Sequence, residues 1–362
     1  MIEHRKIAVL CNYELLSERV GGMDYFFWLF DQQCKERGMQ IDWFFPNLSH
    51  HGEYSNLSIY DCSYNVEIFF IDFCKVNKKG YSHIITHFLE LCTPSFYKIK
   101  QFSKAKIIAI DHNPRPLNGY PLKKKIEKKI KGILFSRYID VFVGVSQYTV
   151  NEILKDFGNH LKKKTRTIYN GVVIEGIIER KYRDIVKPVF LVASHLRESK
   201  GIQDLIVAVS LLPIEIKNDI KIDLYGDGPY KNNLIESIDQ FNLQNCFTFM
   251  GSKPNLKQLY SNYDYMLQPS HMECFSLSIL ESLAANVPVI TTNVGGNEEV
   301  IADGENGFIF RANDIHELKD ILEKVYLGQK KIEGNTRLAV ENFFSLTKMV
   351  ANHLALVLEN KS

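Results

Sequence analysis

Residues 269–310 read PSHMECFSLSILESLAANVPVITTNVGGNEEVIADGENGFIF, and the order of local signals around and inside this stretch decides the fold. Just ahead of it, Tyr265 to Leu267 has the pattern of a short apolar strand. The turn His271 to Phe275 follows, then a helix-like run from Ser276 to Ala285, then a second strand from Val289 to Thr291. A turn that joins a strand to a helix lies at the helix N-terminus, where unpaired backbone N–H groups and the positive end of the dipole converge. An anionic diphosphate is the natural guest there. Glu273 and Glu281 flank the same turn. Two carboxylates beside a diphosphate repel it unless they face the other end of the ligand, where hydroxyls need acceptors. Sugar and ribose hydroxyls meet that need.

Outward from this stretch the same alternation continues in both directions. Strand patterns fall at Lys6 to Leu10, Ile41 to Phe45, His83 to Thr86, Lys106 to Ile110, Val141 to Val145 and Thr165 to Ile168. They recur at Val189 to Ala193, Lys221 to Tyr225, Phe247 to Phe249 and Phe308 to Phe310, with helical patterns between them. Such alternation predicts an α/β protein with parallel sheets built from βαβ units. A chain of 362 residues exceeds one ordinary core, and 45% hydrophobic residues suffice for two. The expected domains are 1–172 and 188–344, with the charged stretch Val173 to Lys187 as the linker. Ligands of such sheets lie beyond the carboxyl ends of the strands, so the turns after the strands hold the candidate functional residues.

The pair of glutamates spaced Glu-x7-Glu, together with PVITT, GGNEEVI and DGENGF, resembles the donor-binding signature of glycosyltransferase family 4. That resemblance implies the GT-B fold, two Rossmann-like parallel-sheet domains facing each other across a cleft, and a retaining transfer from a nucleotide sugar. It implies that Glu273 contacts the transferred sugar and Glu281 the ribose, with Cys274, Phe275, Ser276 and Leu277 forming the phosphate turn between them. It implies that Lys200, in SHLRESKGIQDLI, neutralises the departing diphosphate. The family has an Arg five residues before that Lys, whereas this chain has His195, with Arg197 close by. A neutral imidazole does not replace a permanent guanidinium fork, so the second phosphate contact is assigned to Arg197, with His195 as the alternative. Gly226 opens the GDGP turn, and Met250 and Gly251 end the strand whose loop lines the nucleobase pocket in the family. The resemblance further implies that the C-terminal helix, 345–362, crosses back to the first domain.

Three departures stand in the donor stretch. Cys274 stands for the family's usual Gly and Ser276 for its Gly or Pro, the Ser276 hydroxyl being a further donor for the phosphate. Asn286 replaces Gly, and as the next best residue for a left-handed cap it keeps the geometry. Glu299 matches a family Glu and is read as a helix-start acceptor. Gly295 and Gly296 are read as letting the backbone approach a ligand. In the first domain Gly21 and Gly22 open the first helix, which the resemblance places near the donor diphosphate and the acceptor. His112, after the strand KIIAI, matches the family's His near the transferred sugar, and His87 is a weaker candidate. Glu273, His112 and Lys200 are thus the candidate catalytic residues.

Composition narrows the partners. A net charge of +2 argues against nucleic acid. Seven scattered cysteines without a Cys-x-x-Cys pair suggest reduced thiols in the cytoplasm. The start MIEHRKIAVL has no signal-peptide pattern, and no run is long enough to span a bilayer. Neither a cofactor nor a metal is expected, since no Asp-x-Asp pair lies at a strand end and Lys200 and Arg197 supply charge instead. The run Pro121 to Arg137, PLKKKIEKKIKGILFSR, sets Ile126, Ile130, Ile133 and Leu134 at helical spacing among the lysines of Lys123–Lys131. It is either a basic helix resting on an anionic membrane surface at the inner face of the cell membrane, or a helix packed on its own sheet with a solvated Lys face.

The expectation is therefore a transferase moving a hexose-type sugar from a nucleoside-diphosphate sugar, UDP or GDP, to a glycan or lipid-linked glycan in surface polysaccharide biosynthesis. The alternatives are a non-catalytic nucleotide-sugar-binding subunit of the same fold, or an epimerase or phosphorylase sharing the architecture.

Overall fold

The structure is a computed structural model that describes residues 5–17, 20–63, 65–77, 80–182 and 186–359. Parts of three expectations fall outside these residues: the first four positions of the N-terminus, 183–185 of the stretch read as a linker, and 360–362 of the C-terminal helix. The chain divides into two compact units. One runs to Asn170 and takes in the C-terminal helix from Leu346, and the other is Gly171–Ser345.

The first unit is built on a parallel sheet of β1 (Lys6–Cys11), β2 (Gln40–Phe45), β3 (Ile59–Asp61), β4 (His83–His87), β5 (Lys106–Asp111), β6 (Val141–Gly144) and β7 (Thr165–Thr167). Their order in space is β3-β2-β1-β4-β5-β6-β7. The strands are near-continuous apolar runs because helices cover both faces. Ile7 through Cys11 are all inaccessible to solvent, and Leu10 is registered on Phe44 of β2 and Thr86 of β4. Six of these strands match the pattern read from the sequence to within a residue or two. The edge strand β3 does not appear in that pattern, because it is only three residues long and none of them is buried. The helix Leu346–Leu358 joins this unit by packing against Gly22–Glu36, with the rings of Phe26 and His353 4.8 Å apart.

The second unit repeats the plan with β8 (Phe190–Ala193), β9 (Ile222–Tyr225), β10 (Phe247–Gly251), β11 (Tyr265–Gln268), β12 (Val289–Thr292) and β13 (Gly307–Phe310), ordered β10-β9-β8-β11-β12-β13. In each sheet the first strand therefore lies between the second and the fourth, the doubly wound order whose reversal opens a crevice beyond the carboxyl ends of those strands. Within the stretch read as a linker, Arg180 pairs with the buried Asp264 and donates to the Ser261 carbonyl, and its own N–H bonds the Ala285 carbonyl at 2.8 Å. Asn286 does take the left-handed conformation, with φ 58°, and its side chain bonds the Arg180 carbonyl and the Thr336 N–H.

The helix Leu122–Phe135 has the opposite orientation to the ordinary amphipathic rule. Its buried residues are Lys128 and Gly132, while the isoleucines point outward. Gly132 sits against the helix Gln147–Phe157 so closely that a Cβ there would lie 2.1 Å from the Phe157 carbonyl oxygen. A glycine inside a helix ordinarily gains about 1 kcal/mol on replacement by Ala. Here the sign reverses: Gly132→Ala is expected to lose on the order of 2 kcal/mol through overpacking, read as a lowered urea midpoint with an unchanged m-value.

Candidate functional site

In the second unit the loops after β8 and β11 flank the point where the strand order reverses. They touch through their backbones. Gly201, at φ 66°, follows a short turn Glu198–Lys200 and caps the helix Ile202–Ser210, and a Cβ on it would stand 1.8 Å from the Pro269 carbonyl oxygen. The His271 N–H donates to the Ser199 carbonyl at 2.9 Å, and the His271 ring bonds Asp204 at 2.6 Å. That carboxylate raises the imidazole's pKa against the opposing effect of burial. From below, the hydroxyls of Thr291 and Thr292 hold the carbonyls of Gln268 and Ser270 at 2.8 and 2.6 Å.

This clamp brings the Lys200 ammonium onto the Glu273 carboxylate, although 73 residues separate them in sequence. Glu273 also lies 3.4 Å from both Gln268 Nε2 and Ser270 Oγ, so one carboxylate oxygen collects three donors. The expected helix begins after the turn as Leu277–Ala284, capped by Ser276, whose oxygen accepts from the Ile279 N–H. The Ser276 hydroxyl proton goes to Gln268 Oε1 at 2.8 Å. It is thus spent inside the turn and not held out as a further phosphate donor. The side chains of Cys274 and Phe275 are buried too, with Phe275 5.5 Å from the Phe344 ring. Leu277 is half-buried at the first helical position.

Glu281 sits one turn into the helix, where it accepts from the Tyr260 hydroxyl at 3.3 Å. Burial raises its pKa, with the nearby Lys257 charge and the Tyr260 bond opposing. Gly295 and Gly296 pack directly against the loop after β11. A Cβ on Gly295 would stand 2.2 Å from the Glu273 carbonyl oxygen, and the Gly296 N–H bonds the Cys274 carbonyl at 2.9 Å, so the pair backs the turn that carries Glu273. Glu299 lies in the short turn Asn297–Glu299. Gly226 follows β9 and Met250 and Gly251 end the neighbouring β10, with the Gly226 N–H on the Gly251 carbonyl at 3.0 Å. His195 and Arg197 are both exposed on the loop after β8.

In the first unit the corresponding loops carry the remaining candidates. The Gly21 N–H donates to Asp24 at 2.8 Å where the helix from Gly22 begins. Asp24 also accepts from the hydroxyls of Tyr13 and Tyr54 at 3.0 and 2.6 Å. His112 follows β5 and meets His87, which ends β4, with Nε2 and Nδ1 3.0 Å apart. Burial, together with the neighbouring His353, pushes His112 down to about 3. His87 is displaced in the same direction by burial and by both partners, and burial takes His353 to about 4. All three are therefore neutral rings at neutral pH, able to donate or accept a hydrogen bond but not to carry charge. Beside them lies a cavity of about 430 Å³ at the carboxyl ends of β1, β4 and β5. Its floor is a compensated charge cluster: Arg115 bonds Asp111 at 2.7 Å and Asp156 at 2.9 Å, and Lys128 bonds Asp156 at 3.1 Å. Asn12, Glu90, Asn113 and Tyr120 add polar groups, and Phe88, held at φ 59°, stacks on His112 at 4.2 Å. A left-handed phenylalanine costs backbone energy and is characteristic of functional sites.

Asp204, Asp24, Arg115, Phe88 and His353 escaped the reading of the sequence. Their signals were weak, because each gains its meaning from a partner brought in by the fold. Among the described residues no group of three or more His, Cys, Asp or Glu side chains is disposed to hold a metal ion.

Residues 177–338, less than half of the chain, match the family model described as Glycosyl transferases group 1. The chain is 29% identical over 186 residues to the N-acetyl-alpha-D-glucosaminyl L-malate synthase of Bacillus anthracis, an alignment covering 48% of this chain and 47% of that protein. It is 26% identical over 264 residues to the capsular polysaccharide biosynthesis glycosyltransferase CapM of Staphylococcus aureus, covering 64% and 67%. The chain thus spans about half the length of the first of these relatives and about two thirds of the second. Among solved structures, Anabaena HepE in complex with UDP superposes with a TM-score of 0.75 at 17% identity, covering 97% of this chain and 99% of that one. The fold is accordingly GT-B: two Rossmann-like α/β domains with parallel sheets.

The histidine cluster sets a pH dependence whose sign follows from linkage. Between about 4 and 6.5 an unfolded chain binds protons at these imidazoles that the native state does not, so stability rises with pH through that window and is lost as pH falls. His353→Leu is expected to flatten the dependence of the melting temperature between those pH values while leaving it near its original value above neutrality, as read by differential scanning calorimetry.

Proposed function

We propose that this chain is a glycosyltransferase that moves a hexose-type sugar from a nucleoside-diphosphate sugar, UDP- or GDP-linked, to a hydroxyl of a glycan or lipid-linked glycan. The observation that carries this reading is the meeting of Lys200 and Glu273 at a helix N-terminus on the switch point of the second sheet. A cation, a helix N-terminus and a carboxylate held in one place are what an activated sugar requires: positive groups for its diphosphate, an acceptor for its hydroxyls. The family match over 177–338 and the UDP in the HepE structure support a nucleotide sugar as donor, and the name of CapM supports a place in surface polysaccharide synthesis.

In this reading the diphosphate lies against the Leu277 helix start and Lys200, with Arg197 or His195 on its outer side. Glu281 takes the ribose hydroxyls and the ends of β9 and β10 take the base. Donor binding draws Lys200 from Glu273 toward the phosphate, which frees the carboxylate to accept from the sugar. Transfer forms a bond between the acceptor oxygen and the anomeric carbon as the bond from that carbon to the β-phosphate oxygen breaks. The acceptor proton passes to the departing oxygen on the same face, so the configuration is retained. Lys200 and the helix amides offset the charge that develops on the leaving group without requiring a metal ion. The cavity beside His112 and Tyr120 in the first unit takes the acceptor sugar, its polar rim meeting hydroxyls and Phe88 offering an apolar face.

A panel of nucleotide sugars in a thermal-shift assay tests the donor, since a ligand of the native state alone raises the melting point. One or more UDP- or GDP-hexoses should do so, and a flat panel refutes the proposal. With the donor so identified, Glu273→Gln should lower kcat on the order of a hundredfold or more with the donor still bound, whereas Glu281→Ala should act mainly by raising the donor KM. Lys200→Met should reduce both donor binding and turnover. A chain that binds donor yet neither transfers nor hydrolyses it would be a binding subunit of this fold.

A further inference from the structure

The orientation of the helix Leu122–Phe135 has a physical cause and leaves a surface without a use inside the protein. Gly132 against the Phe157 carbonyl and Lys128 against Asp156 fix which side faces inward. Rolling the helix to bury its isoleucines would strip a buried carboxylate of a cation and open the glycine contact, so the outward face is a property of the fold. On that face Leu122, Ile126, Ile130, Ile133 and Leu134 are exposed by 72, 51, 52, 71 and 48%. Positions spaced by three and four residues form one continuous stripe along the helix. A solvated stripe of five large aliphatic side chains is not explained by the packing of the first unit.

The charge around the stripe says what covers it. Lys123, Lys125, Lys129 and, just beyond the helix, Arg137 are exposed on or beside it. The helix has a single carboxylate, Glu127, and that one is held by Lys124 at 3.3 Å and Lys131 at 2.8 Å. The face is therefore apolar along its middle and cationic at its margin, with no counter-charge of its own. A second copy packed on this face about a two-fold axis would set lysine against lysine. A helix of 14 residues is too short to cross a bilayer, and among the described residues no helix is long and apolar enough to do so. An aliphatic stripe bordered by lysines instead matches a helix lying in the plane of an anionic lipid surface, its side chains among the acyl chains and its ammonium groups at the phosphates.

We propose that the first unit docks on an anionic membrane through the Leu122–Phe135 helix. The inner side of the same helix lines the 430 Å³ cavity with Lys124 and Lys128, so a bound lipid surface lies one helix away from the site assigned to the acceptor. The docking stands on the exposed stripe alone. The suggestion that the acceptor is lipid-linked rests in addition on the transferase reading.

Flotation of the full chain with vesicles tests it, using phosphatidylcholine alone and phosphatidylcholine with added phosphatidylglycerol, with no nucleotide sugar present. Binding to the anionic vesicles only, weakening as salt is raised, is expected. The triple variant Lys123→Gln, Lys125→Gln, Lys129→Gln should reduce partitioning on the order of a hundredfold, and Ile126→Ser with Ile130→Ser by at least about tenfold. Circular dichroism and thermal melts show whether these surface variants remain folded. The proposal is overturned if anionic vesicles at low salt leave the protein unbound, or if folded forms of both variants bind as well as the parent. It is equally overturned if sedimentation shows a dimer that the isoleucine changes dissolve. Donor-dependent melting, measured separately in the absence of lipid, tells failure of this docking from failure of the transferase reading.

Discussion

The close approach of two backbones at the switch point of the second sheet is the constraint from which the rest of the geometry around Lys200 and Glu273 follows. Gly201 lies where any side chain would strike the Pro269 carbonyl, and it holds a left-handed conformation that favours glycine. The loops after β8 and β11 can therefore lie in contact, and the hydrogen bond from His271 to Ser199 closes them. Only in that arrangement does a lysine from one loop reach a glutamate from the other. The part-buried pair is aligned by elements that are themselves anchored: the threonines of β12 hold the carbonyls of Gln268 and Ser270, and Gly295 supports the backbone of Glu273 from behind. A polar pair at the mouth of a crevice is then fixed in position without being sealed from ligand.

The first unit uses the same strand order for different chemistry. Its crevice is floored by a cluster of two cations and two carboxylates, Arg115 and Lys128 with Asp111 and Asp156, all buried. Burial works against the Arg115 charge, yet Asp111 beside it holds the guanidinium pKa above its ordinary value. Buried charges of this kind add little net stability, because desolvation offsets their attraction, but removing one partner strands the other. Their effect here is geometric. The cluster fixes the rotation of the Leu122–Phe135 helix and supplies a polar, electrically balanced floor to the cavity. The neutral histidines beside it continue that character, offering hydrogen bonds without charge.

Much of the fold was legible in the sequence because parallel strands covered on both faces must be runs of apolar residues, and runs such as Lys6–Cys11 or Phe190–Ala193 have few other readings. Residues inside one continuous motif were also legible. The turn before Leu277, the two glutamates and the left-handed Asn286 are local features, set by residues close together in the chain. Strand β3 was missed because three residues, none of them buried, have no such signature, and the contact of Gly295 was not legible because its neighbour, the Glu273 carbonyl, comes from another strand-end loop.

The chain alone thus determined the alternation of elements, the two sheets they make and the turns that end their strands, since each depends on hydrophobic period and turn chemistry over a few residues. Tertiary structure decided which side chains meet. Lys200 finds Glu273, His271 finds Asp204, and His353 arrives from the far end of the chain beside His87, all across sequence distances that no periodicity records. It also decided which side of an amphipathic helix is inside. The spacing of the isoleucines and lysines was plain in the sequence, but the choice between the two faces was made by the fit of Gly132 on a neighbouring carbonyl and of Lys128 on a buried aspartate, contacts that exist only once the helices have packed.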